Sequence, residues 1–574
     1  MKCIKVKNIN KKIVYILIFL LFSAYYIGYC NIRMVELPHM TWFDQMALAE
    51  NYFENRLEIQ DLFSTYGEHG MLANNILFLI NVTFFHGTTM FDVVINDLNV
   101  IICSVILMLL TLKTLGERGS IFWVIIEAVF LFSSTQASSG AMETQVRLGI
   151  LFFLIAMLFV DKEIRNKEVK MLSVVVACLM IILSINVFGT LYSFAGVPLV
   201  WAITCFYIIE RDKSVNNKKN ILISIVYFLT IPIYILEYSL LRNNGLSQMS
   251  DTNGMYDLVE VIKSLCAWCA NGVLGWAYHE SIDYNTNTFL VIGAIVLLIV
   301  FLSVVLFMKK RMYEKTWVPL MCITYSFGVF VMILIGRASG WDWMANEWYN
   351  VHIKLALASS IWIYGYVFKN SVKSLAYISA VFSVGLTSLS VVGNIYEIQR
   401  TPYVRQYYLE KQKYLFVENA NDMPVDENGQ TPLLHSLEMT MDSIDILKKY
   451  RLSVFRYWDG YEAYQEEIGK KVVFLDGRYD DGWVENEVCF IFDTDNSSEI
   501  EVNYYSLKKQ TIEVWVNGKI ESEAIELNVG AGCFDIEVEP ESKAYVEIRS
   551  NYYEQLAEPD NRYASFIISK IEGR

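Results

Sequence analysis

One carboxylate near the N-terminus of the sequence is placed for acid–base chemistry. Asp44 follows two aromatic residues, Trp42 and Phe43, in an amphipathic segment that continues to about Leu57. An ionised carboxylate there could take a proton from a hydroxyl group as a general base. The other interpretation is an acid in the first turn of a helix, where the helix dipole stabilises a negative charge. The residue type alone leaves both interpretations open.

Further ionisable residues lie where apolar runs begin or end. Glu68-His69 could position a sugar or a phosphate, or form a polar turn between two helices. Asp97 lies inside an apolar run, so it needs a partner or a hydrated cavity unless it caps a helix. Glu143 and Arg147 are one helical turn apart, which suits either an ion pair or a substrate contact.

Arginine and aromatic residues mark two later segments. Arg337 follows Gly336 at the end of an apolar run, where its planar guanidinium could bind phosphate oxygens at two points or reach to the membrane interface. The segment 241–288 is predicted to be an outer loop, and its aromatic residues could be interfacial anchors or surfaces on which sugar rings stack. These residues are Trp268, Trp276, Tyr278, His279 and Tyr284.

The elements that carry these residues are predicted to be membrane helices. The chain has 574 residues, of which 54% are hydrophobic, with a mean hydropathy of +0.34. This composition argues against a purely soluble enzyme and favours a polytopic α-helical membrane protein. Apolar runs long enough to cross a bilayer predict eleven spans. They cover residues 13–29, 93–112, 120–134, 147–160, 171–187, 191–209, 221–240, 289–308, 317–336, 353–368 and 374–393.

The distribution of basic residues predicts the orientation of the chain. Lysine and arginine concentrate at the N-terminus and in every second loop, which is typical of cytoplasmic loops. The first segment is predicted to be a retained helix, because Tyr25–Tyr29 offers no small-residue cleavage site for a signal peptidase. Eleven crossings from a cytoplasmic N-terminus place the C-terminal region outside the cell. Residues 394–574 carry 19 basic and 35 acidic side chains, which disfavours a nucleic-acid partner.

Three domains are predicted. Residues 1–395 form the membrane domain, with a large first outer loop over 31–92 that contains two interfacial helices. Residues 396–469 form a partly helical connector, whose best helical piece is 443–450. Residues 470–574 alternate apolar and polar residues in short runs, which predicts an extracytoplasmic antiparallel β-sandwich.

The sequence of the outer domain predicts one turn clearly and leaves the interpretation of several other residues open. Asn517-Gly518 predicts a tight hairpin turn. Trp483 and Trp515 could be platforms for carbohydrate binding, although Trp483 could equally be part of the core. A disulfide between Cys489 and Cys533 is open on the sequence alone. Cys266 and Cys269 have a metal-site spacing that no second pair or histidine cluster completes, so no metal site is predicted.

The order of these features resembles the GT-C class of integral-membrane glycosyltransferases. A basic N-terminus, one span, a long outer loop with an early acid and many later spans support the similarity over about residues 1–395. Within the class the chain is similar to bacterial members that carry Glu-His, as at Glu68-His69, a Ser-x-x-Gln run followed by an acid and a glutamine, as over 134–145, and Gly-Arg, as at Gly336-Arg337. The resemblance assigns the catalytic base to Asp44. It assigns the donor phosphate to an arginine such as Arg337.

The resemblance implies transfer of a sugar from a polyprenyl-phosphate carrier to a cell-surface or cell-wall glycan on the outer face. The expected partners are that lipid-linked sugar, a glycan or lipid acceptor and membrane lipid. Arg337 or Arg147 could stabilise the departing phosphate. No cofactor is required, although Asp44, Glu68 and His69 could hold a divalent ion. The alternatives are a transporter or flippase, or a ligase, for a lipid-linked glycan.

Overall fold

The chain folds into two compact units in the computed structural model. Unit 1 comprises residues 1–33, 57–77 and 90–401, and unit 2 comprises residues 34–56, 78–89 and 402–574. This division differs from the predicted one, because two segments of the first outer loop belong with the C-terminal region. The residues described are 11–574 except 39, 67–68, 117–119, 137–140, 166–169, 188–256, 282–285, 337–340, 342–343, 345, 347–348, 418–419, 427, 456–471, 480, 541–542 and 557–561.

Apolar helices build most of unit 1 and make this a membrane protein. In chain order the described helices are α1 (Lys11–Arg33), α2 (Thr41–Asp44), α3 (Met46–Phe53), α4 (Leu72–Phe84), α5 (Met90–Leu115), α6 (Ser120–Leu131), α7 (Ala141–Arg165), α8 (Met171–Ile182), α9 (Leu258–Ser281), α10 (Thr286–Lys309), α11 (Val318–Gly336), α12 (Asn350–Lys369), α13 (Lys373–Gln412) and α14 (Leu437–Lys449). By length and composition, α1, α5, α7, α9, α10, α12 and α13 can each cross a bilayer. Shorter apolar helices are α4, α6, α8 and α11.

The helices of unit 1 differ in how much of their surface is covered. Leucine and isoleucine side chains remain exposed along one side of α1 and α10, as expected for surfaces that face lipid. Helix α12 is buried along almost its whole length, so it is the central helix of this unit. Gly365 on α12 lets the helix approach the ring of Trp123 on α6, where a Cβ atom would lie 3.0 Å from the indole. The centre of unit 1 is therefore tightly packed.

Nine of the eleven predicted spans coincide with apolar helices, and the other two, 191–209 and 221–240, lie outside the described residues. The prediction of an outer loop over 241–288 is wrong for its second half, because that half forms α9. The polar residues of this stretch, such as Asn271, lowered its apparent hydrophobicity. In the structure Asn271 is buried and donates hydrogen bonds to the backbone carbonyls of Met344 and Asn346, at 3.3 and 2.8 Å. Its amide is thereby satisfied inside the protein.

Unit 2 joins the first loop to the C-terminal region through hydrogen bonds and ring contacts. The Glu36 carboxylate accepts hydrogen bonds from the hydroxyls of Thr88 and Ser453, at 2.7 and 2.6 Å. The rings of Phe53 and Tyr450 stack with their centroids 4.6 Å apart. The predicted amphipathic helix breaks at Gln45 into α2 and α3, and its apolar side packs against α14. A folded partner therefore covers the surface that the sequence assigned to the membrane interface.

The C-terminal part of unit 2 consists of two antiparallel sheets that share one hydrophobic cluster. The larger strands are β3 (Val472–Arg478), β4 (Val484–Asp493), β5 (Glu499–Ser506), β6 (Gln510–Val516), β7 (Lys519–Leu527), β8 (Gly530–Glu537), β9 (Lys543–Ser550) and β12 (Ile567–Gly573). A five-stranded sheet has the order β3-β4-β9-β6-β7, and a three-stranded sheet has the order β12-β5-β8. Two further two-stranded pairs are β1 (Thr65–Tyr66) with β2 (His69–Gly70), in unit 1, and β10 (Glu554–Gln555) with β11 (Tyr563–Ala564).

Local signals predicted this region well. Asn517 and Gly518 both have positive φ angles, 50° and 78°, and form the two-residue turn between β6 and β7. Only such a turn matches the twist of the strands, so the hairpin prediction is confirmed. The helical prediction for 443–450 is confirmed by α14. Cys489 is buried and Cys533 is exposed, and both are free thiols.

The composition of unit 2 constrains how often the chain crosses the membrane. Its segments pack together as one folded body, so residues 34–56 and 402–574 must lie on the same side. The chain between Thr89 and Pro402 then crosses an even number of times. Its described residues contain nine apolar helices, α5 to α13. Residues 188–256 of this stretch lie outside the described residues, so the parity applies to the stretch as a whole.

Labelling with a membrane-impermeant maleimide tests this constraint. In a background without other cysteines, we expect Cys533 and a cysteine at Arg56→Cys to react from the same side of the membrane, since both are exposed in unit 2. Lys315→Cys is the control, because the sequence places that basic loop on the opposite side. Reaction of the two unit 2 positions from opposite sides would contradict the packing described here.

Candidate functional site

Asp44 forms a pair with His435, a residue far away in the sequence. Asp44 is the last residue of α2, and its Oδ1 lies 3.0 Å from Nε2 of His435. The two side chains are 22% and 20% exposed, so they are shielded but reachable. Both belong to unit 2, in which 391 positions separate them. We call them the Asp44–His435 pair.

The start of α14 fixes His435. Ser436 is the N-cap of α14, and its Oγ accepts a hydrogen bond from the backbone N–H of Met439 at 3.4 Å. The backbone N–H of Ser436 donates to Nδ1 of His435 at 3.0 Å. In the preceding turn, the carbonyl of His435 accepts from the N–H of Thr431 at 2.8 Å. Hydrogen bonds therefore hold both the ring and the backbone of His435.

This geometry decides the histidine tautomer. Nδ1 accepts a hydrogen bond, so in a neutral ring the hydrogen is on Nε2, which then donates to Oδ1 of Asp44. Oδ2 of Asp44 is shielded from solvent and has no hydrogen-bond partner among the described residues. A buried carboxylate oxygen without a donor is costly, so it calls for a functional explanation. The pair thus leaves one carboxylate oxygen without a hydrogen-bond donor among the described residues.

A second group of polar residues lies in unit 1, around a small cavity. The cavity has a volume of about 40 Å³, room for roughly three water molecules. Helices α5, α6, α7 and α12 and the short turn after α6 contribute its walls. The polar residues among its lining are Asn99, Ser104, Gln136, Arg147 and Lys354. We call it the cation-lined cavity.

Lys354 is a buried lysine on the central helix α12. It is 2% exposed, and its Nζ donates to Oγ of Ser133 at 2.9 Å. Ser133 in turn donates to Oδ1 of Asn394 at 2.6 Å. Among the described residues no carboxylate lies within ion-pair distance of Lys354. The Glu397 carboxylate interacts with Lys354 electrostatically without forming a direct ion pair. A buried ammonium with no direct ion pair is costly in a membrane protein and marks a candidate site for an anion.

Arg147 is the second cation of this cavity. It is 4% exposed on α7, donates to the carbonyl of Gln136, and lies 3.4 Å from the hydroxyl of Tyr26. Its Nε has no partner among the described residues. Glu143 and Asp97 both interact with it electrostatically, and Asp97 is buried on α5 beside the Cys30 thiol. The structure thus brings Asp97, which the sequence singled out separately, together with the predicted neighbours Glu143 and Arg147, and Arg147 lies on the cavity wall.

The structure describes the other predicted site residues less fully. Glu68 and Arg337 lie outside the described residues, and His69 is in strand β2. Trp268 does not face outward for a sugar ring, because it is fully buried against Phe327 and Phe330.

The two predicted carbohydrate platforms are both partly covered. Trp515 on β6 is half-buried, and the guanidinium of Arg549 lies 4.9 Å from its ring centroid. The arginine occupies the stacking surface that a sugar would need. Trp483 is half-buried at the start of β4, where its backbone pairs with Ile567. Neither tryptophan presents a broad exposed ring face.

A group with metal-ligand chemistry lies in the β-sheet region but is neutralised by arginines. Glu487, Cys489 and Glu547 bring their ligand atoms within 4.8 Å of one another. Arg405 contacts both carboxylates, at 2.9 and 3.4 Å, and Arg549 contacts Glu547. Burial raises the pKa of the Glu547 carboxyl above its usual value, against the opposing effect of Arg405. Two guanidiniums already pair with these carboxylates, so we interpret this network as an ion-pair cluster.

Sequence reasoning missed His435 and Lys354. His435 lies in a polar connector, and no local pattern links it to an aspartate in the first loop. Lys354 did carry a signal, because it lies just inside the predicted span 353–368. The count of basic residues covered only the loops and so did not include Lys354. A lysine within a span is by default a candidate functional residue.

Replacing Lys354 tests whether its charge serves function at the expense of stability. We expect Lys354→Met to raise Tm by about 1–4 °C, because methionine removes a buried charge and retains most of the volume. The measurement is thermal unfolding of the full chain in detergent, with Lys373→Met at an exposed position as the control. A fall in Tm would show instead that the ammonium holds the fold together through Ser133.

The chain matches no protein-family model, no curated protein and no solved structure. A functional interpretation therefore rests on the two groups described above: the Asp44–His435 pair in unit 2 and the cation-lined cavity in unit 1. The first offers a carboxylate oxygen that can accept a proton. The second offers two buried cations that can attract an anion.

Proposed function

We propose that the chain is a membrane glycosyltransferase that moves a sugar from a polyprenyl-phosphate donor to a glycan acceptor on the outer face. The architecture in this proposal is GT-C-like, with about eleven spans and an extracytoplasmic β-sandwich. The observation that carries it is the Asp44–His435 pair, in which His435 holds Oδ1 and leaves Oδ2 for a substrate. That arrangement suits a general base better than a helix-capping acid, because Oδ2 caps no backbone N–H among the described residues.

The proposed reaction transfers one proton and releases one leaving group. Oδ2 of Asp44 takes the proton of an acceptor hydroxyl while that oxygen forms a bond to the anomeric carbon of the sugar. The bond between the anomeric carbon and the phosphate oxygen breaks, and its electrons leave with polyprenyl phosphate. His435 donates to Oδ1 throughout, so it orients the carboxylate and does not itself receive the proton.

The cation-lined cavity supports the choice of a phosphate-bearing donor. Arg147 and Lys354 are both almost fully buried; Asp97 and Glu143 interact electrostatically with Arg147, and Glu397 interacts with Lys354. Both cations keep N–H donors that are not fully used on the cavity wall, and such donors favour an oxyanion. A lipid phosphate is an oxyanion of the class that such cations bind. Arg337, which the resemblance also connects with phosphate, keeps that role as a prediction.

Asp44→Asn tests the proposal directly. Asparagine keeps the shape and can still accept from His435, but it cannot take a proton, so we expect transfer to fall by about 10²–10⁴-fold. The measurement is mass spectrometry of surface glycans from cells that carry either form of the protein. A sugar should be missing from one polymer. Asp442→Asn is the matched control, because Asp442 is an exposed carboxylate on α14 in the same unit. Unchanged glycans with Asp44→Asn at normal protein levels would overturn the proposal.

The role of His435 is tested by two substitutions that differ in hydrogen bonding. Glutamine retains an N–H that can reach Oδ1 of Asp44, whereas leucine does not. We expect His435→Leu to lower kcat about tenfold with little change in KM for the acceptor, and His435→Gln to restore most of the rate. Equal losses in both variants would mean that His435 acts through packing rather than through orientation of Asp44.

A further inference from the structure

An exposed group of tyrosines lies in the β-sheet region of unit 2. Tyr553 precedes β10 and Tyr563 lies in β11, and their ring centroids are 5.4 Å apart with an angle of 39° between the planes. The two rings are 45% and 48% exposed. The hydroxyl of Tyr479 donates to the carbonyl of Tyr563 at 3.1 Å and joins a third ring to the group. We call these three residues the tyrosine cluster.

Backbone hydrogen bonds hold the cluster in place. The loop between β3 and β4 closes through the N–H of Tyr479 to the carbonyl of Trp483, at 2.8 Å. Gly482 in this loop has φ of +91°, a conformation that other residues rarely adopt. The second loop is tied by the N–H of Leu556 to the carbonyl of Arg562, also at 2.8 Å. The rings are thus presented from defined backbone positions.

Charged groups border the rings. The guanidinium of Arg562 lies 4.7 Å from the ring centroid of Tyr479 and binds both carboxylate oxygens of Asp481, one of them at 3.0 Å. This hydrogen-bonded contact lowers the pKa of the Asp481 carboxyl, which stays ionised. A second carboxylate, Glu485, interacts electrostatically with Tyr479 and Tyr553. The cluster therefore combines ring faces with fixed hydrogen-bond acceptors and donors.

Folding does not account for these rings. The hydrophobic cluster that joins the two sheets is formed by other residues, from Val472 to Ile571, and contains none of the three tyrosines. A pair of rings that remains almost half exposed leaves apolar area in water that a ligand could cover. The flanking ion pair also holds its side chains beside the rings, although an exposed ion pair contributes little to stability.

We infer that the tyrosine cluster binds a neutral glycan chain. The apolar faces of sugar rings stack on aromatic rings, and sugar hydroxyls donate to carboxylates such as Asp481 and Glu485. Residues 472–574 carry 22 acidic and 9 basic side chains, so a polyanion such as a nucleic acid or a phosphate-rich polymer would be repelled. Two adjacent exposed rings suit consecutive sugars of one chain. This site is independent of the transfer reaction and of Asp44.

The proposed binding surface includes the loop that holds Trp483, the platform predicted from the sequence. Trp483, the residue singled out in the sequence, accepts the hydrogen bond that closes the loop over 479–483. Its neighbour Asp481 and the more exposed tyrosines present the chemistry that a glycan would contact. Trp515 stays covered by Arg549, so it is not part of this site.

The test is binding of defined neutral oligosaccharides to the full chain in nanodiscs. Cellohexaose, maltohexaose, xylohexaose and mannohexaose are titrated by calorimetry, with dextran sulfate as the polyanionic probe. We expect at least one neutral oligosaccharide to bind with Kd of about 1 mM or lower, and dextran sulfate not to bind. The double variant Tyr553→Ala and Tyr563→Ala should weaken that binding at least about tenfold.

Two controls separate this site from folding and from catalysis. Tyr505→Ala removes an equally exposed ring, 44% exposed on β5 of the same region, and should leave binding unchanged. Asp44→Asn should also bind normally, so the inference survives even if the proposed transfer fails. No binding of any neutral oligosaccharide at about 10 mM, a preference for dextran sulfate, or an equal loss with Tyr505→Ala would overturn it.

Discussion

The cost of removing a charged or polar group from water governs the whole structure. In unit 1 most buried polar groups meet this cost with a partner inside the protein. Asp161 accepts from the backbone N–H of Trp317 at 2.6 Å. Arg33 pairs with Glu397 at 2.9 Å. These contacts join helices that are distant in the sequence, so polar satisfaction and helix packing support each other.

The cation-lined cavity is one place, among the described residues, where this rule is only partly met. Lys354 donates to one hydroxyl although an ammonium carries three donors, and Nε of Arg147 lacks a partner among the described residues. Packing alone does not require such a shortfall, because an apolar residue of similar size would fill the same space without a desolvation cost. In the proposed transferase, a bound anion supplies the missing acceptors.

The same principle applies to unit 2, where different groups make the contacts. Its sheets bury a conventional apolar core, while its other elements come from three separate parts of the chain. The Glu36 carboxylate and the ring pair of Phe53 and Tyr450 fix the first loop against the C-terminal region. Asp44 therefore occupies a folded environment with a defined hydrogen-bond donor, rather than a free helix on a lipid surface. Such a fixed donor aligns a carboxylate for proton transfer.

Local sequence patterns determined the helices and strands of this protein. Long apolar runs predicted the described spans apart from α9. The alternation of apolar and polar residues, together with the Asn517-Gly518 turn, predicted most of the sheet region. Both signals work because hydrophobic periodicity and turn conformation are local properties of the chain. The approach of Asp44 to His435, the burial of Lys354 beside Arg147 and the meeting of Tyr553 with Tyr563 were decided only by tertiary structure. Each joins residues whose separation in the chain carries no local signal, and each depends on which surfaces exclude water. A sequence can show that a carboxylate or an ammonium is present, but its partner and its solvation exist only after the chain has folded.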